Sequence, residues 1–119
     1  MQDYKKTDHP IIEKPWEYHV VEFYYNSNSN DVREHFILMK LKKENEYRLF
    51  KFQFPRDLKI EEGFPRRTGG MEFIDLSKDG LEDINVKVGD FELSWGAITF
   101  YAKSVIELPT DVDSSLLSE

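Results

Sequence analysis

The sequence predicts an all-β fold: a single antiparallel β-sandwich or open barrel of about six to seven short strands, with little or no helix. Apolar and polar residues alternate with period two along much of the chain, and the alternating segments are rich in aromatic and β-branched residues. No segment shows the apolar periodicity of an amphipathic helix. The 119 residues suffice for one domain, with its core between about 16 and 108.

The first predicted strand is Trp16–Tyr25, which follows an extended N-terminal segment, residues 1–15. Apolar side chains occur on both faces of this strand, which indicates a bulge or a strand covered on both sides. The run NSNSND that follows is typical of a turn, because Asn and Ser side chains bond to their own backbone.

A β-hairpin is predicted from two alternating segments, Glu34–Lys43 and Tyr47–Phe54, joined by a tight turn near Glu44–Glu46. Alternation places three phenylalanines of the second segment on one face, where we expect them to form core. These residues are Phe50, Phe52 and Phe54.

The connection Pro55–Gly70 is long for a compact domain. It is therefore expected either to be functional or to contain a short strand such as Leu58–Ile60. Two further strands are predicted after it, Met71–Leu76 and Ile84–Val88, and Gly89 indicates a bulge.

The chain then resumes strand character up to Trp95 and turns at Gly96. The last predicted strand is Ile98–Leu108, and Pro109 begins a solvated tail, residues 109–119. Alternation assigns five apolar residues of this strand to one face. They are Ile98, Phe100, Ala102, Ile106 and Leu108.

The stretch DLSKDGLED, from Asp75 to Asp83, begins like a calcium loop, with oxygen-bearing side chains at its first, third and fifth positions and glycine at the sixth. The EF-hand pattern also needs a bidentate glutamate at position twelve, and Val86 stands there. We therefore interpret the stretch as an Asp-Gly turn between strands. A partial metal site built from Asp75, Asp79 and Asp83 is the alternative.

No catalytic or cofactor motif is legible in the sequence. The three histidines, His9, His19 and His35, lack the spacing of zinc ligands, and no nucleophile-elbow or phosphate-loop pattern occurs. The absence of cysteine removes thiolate chemistry and fits a reducing compartment. We expect a cytoplasmic, non-catalytic protein without cofactor or metal, although an acid–base carboxylate pair stays open.

Acidic residues concentrate in the C-terminal half of a chain whose formal net charge is −7. Thr68–Glu119 carries 11 acidic and 3 basic residues. This balance argues against nucleic-acid binding, and no apolar run is long enough to span a membrane. We expect a monomer or homodimer that meets a basic protein partner. The candidate partner-binding residues are Asp75, Asp79, Glu82, Asp83, Asp90 and Glu92.

A rival hypothesis is a β-sandwich module that binds a small molecule or carbohydrate through exposed aromatic rings. The candidate stacking residues are Trp95, Tyr101 and Tyr25. Arg66 and Arg67, in the run RRTGG, are candidates for binding an anion with their guanidinium groups and backbone amides.

The segment Met71–Leu108 resembles the C-terminal half of small bacterial immunity proteins of polymorphic toxin systems. The matching positions are a strand ending in Asp75, the pair Leu81–Glu82, the element Val88, Asp90, Phe91, Glu92, and the final strand with Ile98, Phe100 and Ala102. Leu81 stands where that pattern has an aromatic residue. The resemblance implies a non-catalytic cytoplasmic protein that binds and blocks a cognate toxin, with the acidic turn and Asp90–Glu92 at the contact.

Calcium addition is expected to leave stability unchanged, because Val86 replaces the bidentate ligand of the calcium loop. Thermal unfolding with and without a large excess of Ca²⁺ over the protein tests this prediction. A melting temperature that climbs steadily with calcium concentration, as ligand linkage requires of a site in the folded state, would contradict it.

Overall fold

The computed structural model describes residues 7–64, 70–90 and 97–110. Eight β-strands form the fold over these residues, and short 3₁₀ turns precede the first and second strands at Pro15–Glu17 and Val32–Glu34. The strands are β1 (His19–Asn26), β2 (Phe36–Lys43), β3 (Glu46–Gln53), β4 (Arg56–Ile60), β5 (Met71–Asp75), β6 (Val86–Asp90), β7 (Ile98–Ala102) and β8 (Ser104–Leu108).

The strands form two antiparallel sheets of four, in the orders β1-β2-β3-β8 and β4-β7-β6-β5. The all-β sandwich predicted from the alternation is therefore confirmed. Strand β3 leads directly into β4, and β7 leads directly into β8. Because β3 pairs with β8 and β4 pairs with β7, a single two-stranded ribbon runs from one sheet into the other.

The ribbon bends at Phe54–Pro55 on one strand and at Lys103 on the other. The Lys103 amide donates a 2.8 Å hydrogen bond to the Gln53 carbonyl, which keeps the strands joined through the bend. Phe54 adopts a left-handed backbone conformation (φ 56°), which is strained for a bulky residue. Its amide donates to the His35 carbonyl at 2.9 Å, and this bond offsets part of the strain. Strands that switch sheets at such bends make the corners of orthogonally packed sandwiches.

The main core lies between the two sheets and is dominated by aromatic contacts. The Phe52 ring meets Phe100 edge to face at a centroid distance of 4.9 Å and meets Phe73 at 5.5 Å. The Phe50 ring also meets Phe73 edge to face, at a centroid distance of 5.5 Å. The predicted inward face is thus confirmed for Phe50 and Phe52. Phe54, which follows the end of β3, is buried too but does not belong to this core cluster.

A second, smaller cluster lies on the opposite face of the first sheet. Phe36, Leu38 and Leu49 are buried there and pack with Tyr24 and Leu108. The lysines of this face extend over aromatic rings, with the Lys51 Nζ 4.6 Å from the Phe36 ring centroid. Their methylene stems can cover apolar surface while the ammonium groups stay in water.

Three local predictions are confirmed. The bulge expected in the first strand lies between Val20 and Glu22, where the register with β2 shifts. The long connection after Pro55 does contain a strand, β4. The hairpin turn places Glu44 at positive φ (55°), and β2 and β3 then pair in unbroken register.

Two local predictions are wrong, and a third is not tested. The strand expected to begin at Trp16 begins at His19, because Pro15 starts a 3₁₀ turn that carries Trp16. The expected bulge at Gly89 does not form, since Gly89 pairs with Glu72 in a continuous register. The segment predicted to resume strand character up to Trp95 lies outside the described residues.

The last predicted strand is two strands, divided at Lys103. The bend exchanges the inward and outward positions, so Val105 packs against the main core. Ile106, predicted to face inward, is 50% exposed instead. The inward positions change because the chain changes sheet at Lys103. Strand β7 belongs to the second sheet and buries its side chains against the first, whereas β8 belongs to the first sheet and buries its side chains against the second.

Phe52→Ala is expected to lower the free energy of unfolding by about 3–5 kcal/mol, because it removes a ring that is fully buried between Phe73 and Phe100. Ile106→Ala is the control, and its expected effect is about 0.5 kcal/mol or less because the side chain is half exposed. Urea unfolding of both variants measures the difference. Equal losses for the two variants would contradict this assignment of the core.

Candidate binding surface along strand β5

The N-terminal segment lies along the edge of the second sheet, beside β5. Asp8 forms an antiparallel bridge with Ile74. The His9 amide donates to the Phe73 carbonyl at 2.9 Å, and the Asp75 amide donates to the Thr7 carbonyl at 2.7 Å. These bonds occupy the backbone groups of a strand edge that would otherwise be open to pairing.

The same segment is then anchored in the core. Ile12 and Pro15 are buried, and the Arg48 guanidinium donates to the Ile11 carbonyl at 3.1 Å. Tyr18 is buried too, and its hydroxyl donates to the Glu46 carboxylate at 2.9 Å. Residues 7–18 are therefore fixed at both ends and at their middle.

Arg48 also makes a two-point ion pair with Glu107 on β8. Its Nε and Nη2 atoms donate to the two carboxylate oxygens at 3.0 Å and 2.8 Å. Hydrogen bonding from the guanidinium lowers the pKa of Glu107, and the same bonds raise the pKa of Arg48. The Arg48 side chain also lies over the Phe50 ring, 5.4 Å from its centroid. One guanidinium thus joins the N-terminal segment, the core and β8.

The N-terminal segment forms an open groove of about 480 Å³. It is lined by residues 8–10, 12–14 and 16. The Trp16 side chain is 37% exposed, and its 3₁₀ turn contacts β5. Alternation assigns Trp16 to a strand face and so does not predict this groove. The prolines at positions 10 and 15, which bracket a non-alternating stretch, are the available signal.

His9 lies beside the groove with its ring partly buried. Its Nδ1 accepts the Ile11 amide at 3.2 Å, so the ring proton is on Nε2 in this arrangement. Burial lowers the pKa of His9, while the nearby Asp75 carboxylate acts in the opposite direction and is the smaller influence. The imidazole is therefore neutral at pH 7.

The loop between β5 and β6, residues 76–85, carries the acidic residues singled out by the sequence. The Leu76 amide donates to the Asn85 carbonyl at 2.8 Å and closes the base of the loop. The Asp75 carboxylate accepts the Ser77 amide at 2.9 Å, and hydrogen bonding from Ser77 lowers the pKa of Asp75. The predicted Asp-Gly turn between strands is confirmed, with Gly80 at a φ of 74°.

Leu81 is 48% exposed at the tip of this loop, and Asp79 and Glu82 beside it are exposed. Asp83 is half-buried, with the Lys103 Nζ 4.0 Å from its Oδ1. Four of the six predicted acidic contact residues therefore belong to one loop and its base. They are Asp75, Asp79, Glu82 and Asp83.

Asp90 does not belong to that surface. It is 5% exposed at the end of β6, where it pairs with Met71. An acidic residue in a sequence is ordinarily exposed, and the sheet register brings this one inside. Glu92, the sixth predicted residue, lies outside the described residues, as do Trp95, Arg66 and Arg67.

The two described stacking candidates lie apart, on different sheets. Tyr25 on β1 is 38% exposed and packs edge-on against the His35 ring at 6.5 Å. Tyr101 on β7 is half-buried, with the Lys87 Nζ 5.4 Å from its ring centroid. They do not form a joint stacking platform.

The possible metal ligands are dispersed in the described parts of the chain. No cluster of three or more His, Asp or Glu side chains placed to hold a metal ion occurs within residues 7–64, 70–90 and 97–110. Val86, at the twelfth position of the calcium pattern, is 1% exposed in the core. Its flanking segments are strands, as predicted.

Comparisons with known proteins supply no family for this chain. No protein-family model matches it, and neither the curated proteins nor the solved structures give a significant match. Within the described residues, no helix is long and apolar enough to cross a membrane.

His9→Asn is expected to flatten the fall in stability between pH 7 and about pH 5. The folded-state pKa of His9 lies below its ordinary value of 6.5, so the unfolded chain takes up the proton first as the pH falls. This contribution to stability is complete above pH 6.5 and is lost on acidification. Asn keeps an acceptor for the Ile11 amide but does not titrate in this range.

The measurement is the free energy of unfolding by urea at several pH values, for both proteins. A smaller slope with pH in the variant is the expected result. Identical slopes would show that His9 titrates alike in the folded and unfolded chains, against this account.

Proposed function

We propose that this protein is a non-catalytic binding protein of the immunity type, which blocks a basic toxin partner through the acidic loop between β5 and β6. The observation that carries the proposal is the exposed Leu81 beside the exposed carboxylates Asp79 and Glu82. Cytoplasmic location and a toxin as partner belong to the proposal, and the resemblance of Met71–Leu108 to immunity proteins supports them.

The loop combines the two features that protein recognition uses. Surface carboxylates attract a basic partner over a distance of about 8 Å at physiological salt and accelerate association. An apolar side chain that becomes fully buried on contact contributes about 1.5–3 kcal/mol. Asp79 and Glu82 can supply the electrostatic attraction, because both carboxylates are exposed. Leu81 can supply the apolar contact.

The loop is also held in place before any partner arrives. The Leu76–Asn85 and Asp79–Leu76 backbone bonds, 2.8 Å and 3.0 Å long, define its base and its first turn. The Asn85 side chain donates to the Lys103 carbonyl at 2.9 Å and ties the loop to the corner of the ribbon. A preorganised loop loses less conformational entropy on binding.

A second candidate function is the binding of a small molecule or carbohydrate. The N-terminal groove favours it, because the exposed Trp16 lines this groove together with Asp8 and Glu13.

Charge reversal tests the proposed function. The test variant combines Asp79→Lys, Glu82→Lys and Asp83→Lys. We expect it to lose capture of a basic partner from a lysate of the producing cells, and mass spectrometry identifies that partner. The matched control changes the same number of charges on exposed residues elsewhere: Glu44→Lys, Glu61→Lys and Glu62→Lys.

The wild type and the control are expected to retain the same basic protein, and its retention should fall as salt is raised. Retention by the loop variant at the wild-type level would contradict the proposal. Recovery of no basic protein by the wild type would contradict it as well.

A further inference from the structure

The N-terminal groove brings one tryptophan and two acidic residues to the same open space. Trp16, Asp8 and Glu13 all line it. The backbone that carries them is fixed, since residues 7–9 are bonded to β5 and Ile12 and Pro15 are buried. The backbone of the groove is therefore held in one conformation.

The charges around the groove favour a cation. His9 contributes no positive charge at neutral pH, because burial lowers its pKa. Lys14 is the one cation among the described residues of the lining, and it acts on the Glu17 carboxylate, which also pairs with Lys43 at 2.7 Å. Asp8 and Glu13 are both exposed, and a third carboxylate, that of Asp75, acts on His9.

The protein already uses this combination of groups inside its own fold. The Arg48 guanidinium lies over the Phe50 ring and donates two bonds to the Glu107 carboxylate. An aromatic face and a carboxylate together hold a planar cation by ring electrostatics and paired hydrogen bonds. Trp is the most favourable ring for such a contact.

We propose that the N-terminal groove binds a guanidinium or alkylammonium group, held between the indole ring of Trp16 and the carboxylates of Asp8 and Glu13. The cation is the Arg or Lys side chain of a basic protein or belongs to a free small molecule. The first source rests on the proposed function, because the partner proposed above is basic. An anion is disfavoured by the carboxylates, and a neutral ligand would lack the charge-assisted bonds.

The direct test is a titration with N-acetyl-arginine amide, followed by the Trp16 indole N–H signal in two-dimensional ¹⁵N NMR. The Trp16→Phe spectrum assigns that signal, since the chain has two tryptophans. N-acetyl-citrulline amide is the matched probe, because it has nearly the same shape and no charge. We expect a saturable shift with the arginine probe and at least about fivefold weaker binding of the citrulline probe.

Isosteric variants separate the carboxylates from the rest of the groove. Asp8→Asn with Glu13→Gln is expected to weaken binding of the arginine probe at least about fivefold. Asp57→Asn with Glu61→Gln is the control, since it removes two exposed carboxylates on and just after β4, at the other end of the second sheet. The remaining amide signals report whether each variant is folded.

Three results would overturn the proposal in a folded protein. They are the absence of a saturable shift with the arginine probe, equal binding of the citrulline probe, and unchanged affinity in the Asp8 and Glu13 variant. The loop variant with Lys at 79, 82 and 83 is expected to bind the arginine probe as the wild type does. The probe titration therefore tests binding by the groove, and the capture experiment tests the proposed function, so that one can fail without the other.

Competition assigns the source of the cation once binding of the arginine probe is established. If excess N-acetyl-arginine amide releases a captured basic protein, that protein's side chain occupies the groove. If the protein stays bound, the groove takes a free small cation at a place separate from the acidic loop. The competition experiment is done only after the titration has shown that the groove binds the arginine probe.

Discussion

The 2.8 Å bond from the Lys103 amide to the Gln53 carbonyl lies where a two-stranded ribbon leaves one sheet and enters the other. Strands β3 and β4 form one side of that ribbon and β8 and β7 the other. Because both strands bend at the same level, the two sheets are parts of one folded sheet. The aromatic core, in which Phe52 meets Phe73 and Phe100, fills the angle that this bend creates.

The binding surface depends on the same arrangement. Strand β5 is the last strand of the second sheet, so its outer edge is open until the N-terminal segment pairs with it. Arg48 on β3 then connects that segment to Glu107 on β8, across the first sheet. The groove lies along the edge of β5, and the acidic loop follows the end of β5. The ribbon sets the position of that strand, and the Arg48 guanidinium holds the N-terminal segment beside it.

Alternation in the sequence was enough to predict the strands that stay within one sheet. The hairpin of β2 and β3, with the phenylalanines at 50 and 52 inward, follows directly from period two. The break at Lys103 could not be predicted in this way, because apolar and polar residues keep alternating through the bend. What changes there is the side on which the core lies, and this depends on the pairing of β8 with β3.

The acidic loop was predictable for the same local reason, since Asp and Gly at 79 and 80 form a turn between two alternating segments. The groove was not, because it needs the long-range contact of Asp8 with Ile74 to exist. Asp90 shows the complementary error: its acidic character indicated exposure, and its place at the end of β6 buries it.

Native-state hydrogen exchange tests the shared ribbon most directly. If the two sheets are one folded sheet, the slowest-exchanging amides of β2 and β3 and those of β6 and β7 share one opening free energy, equal to that of global unfolding. A lower opening free energy for all amides of one sheet, with the other still protected, would show that the sheets unfold separately and would contradict this account.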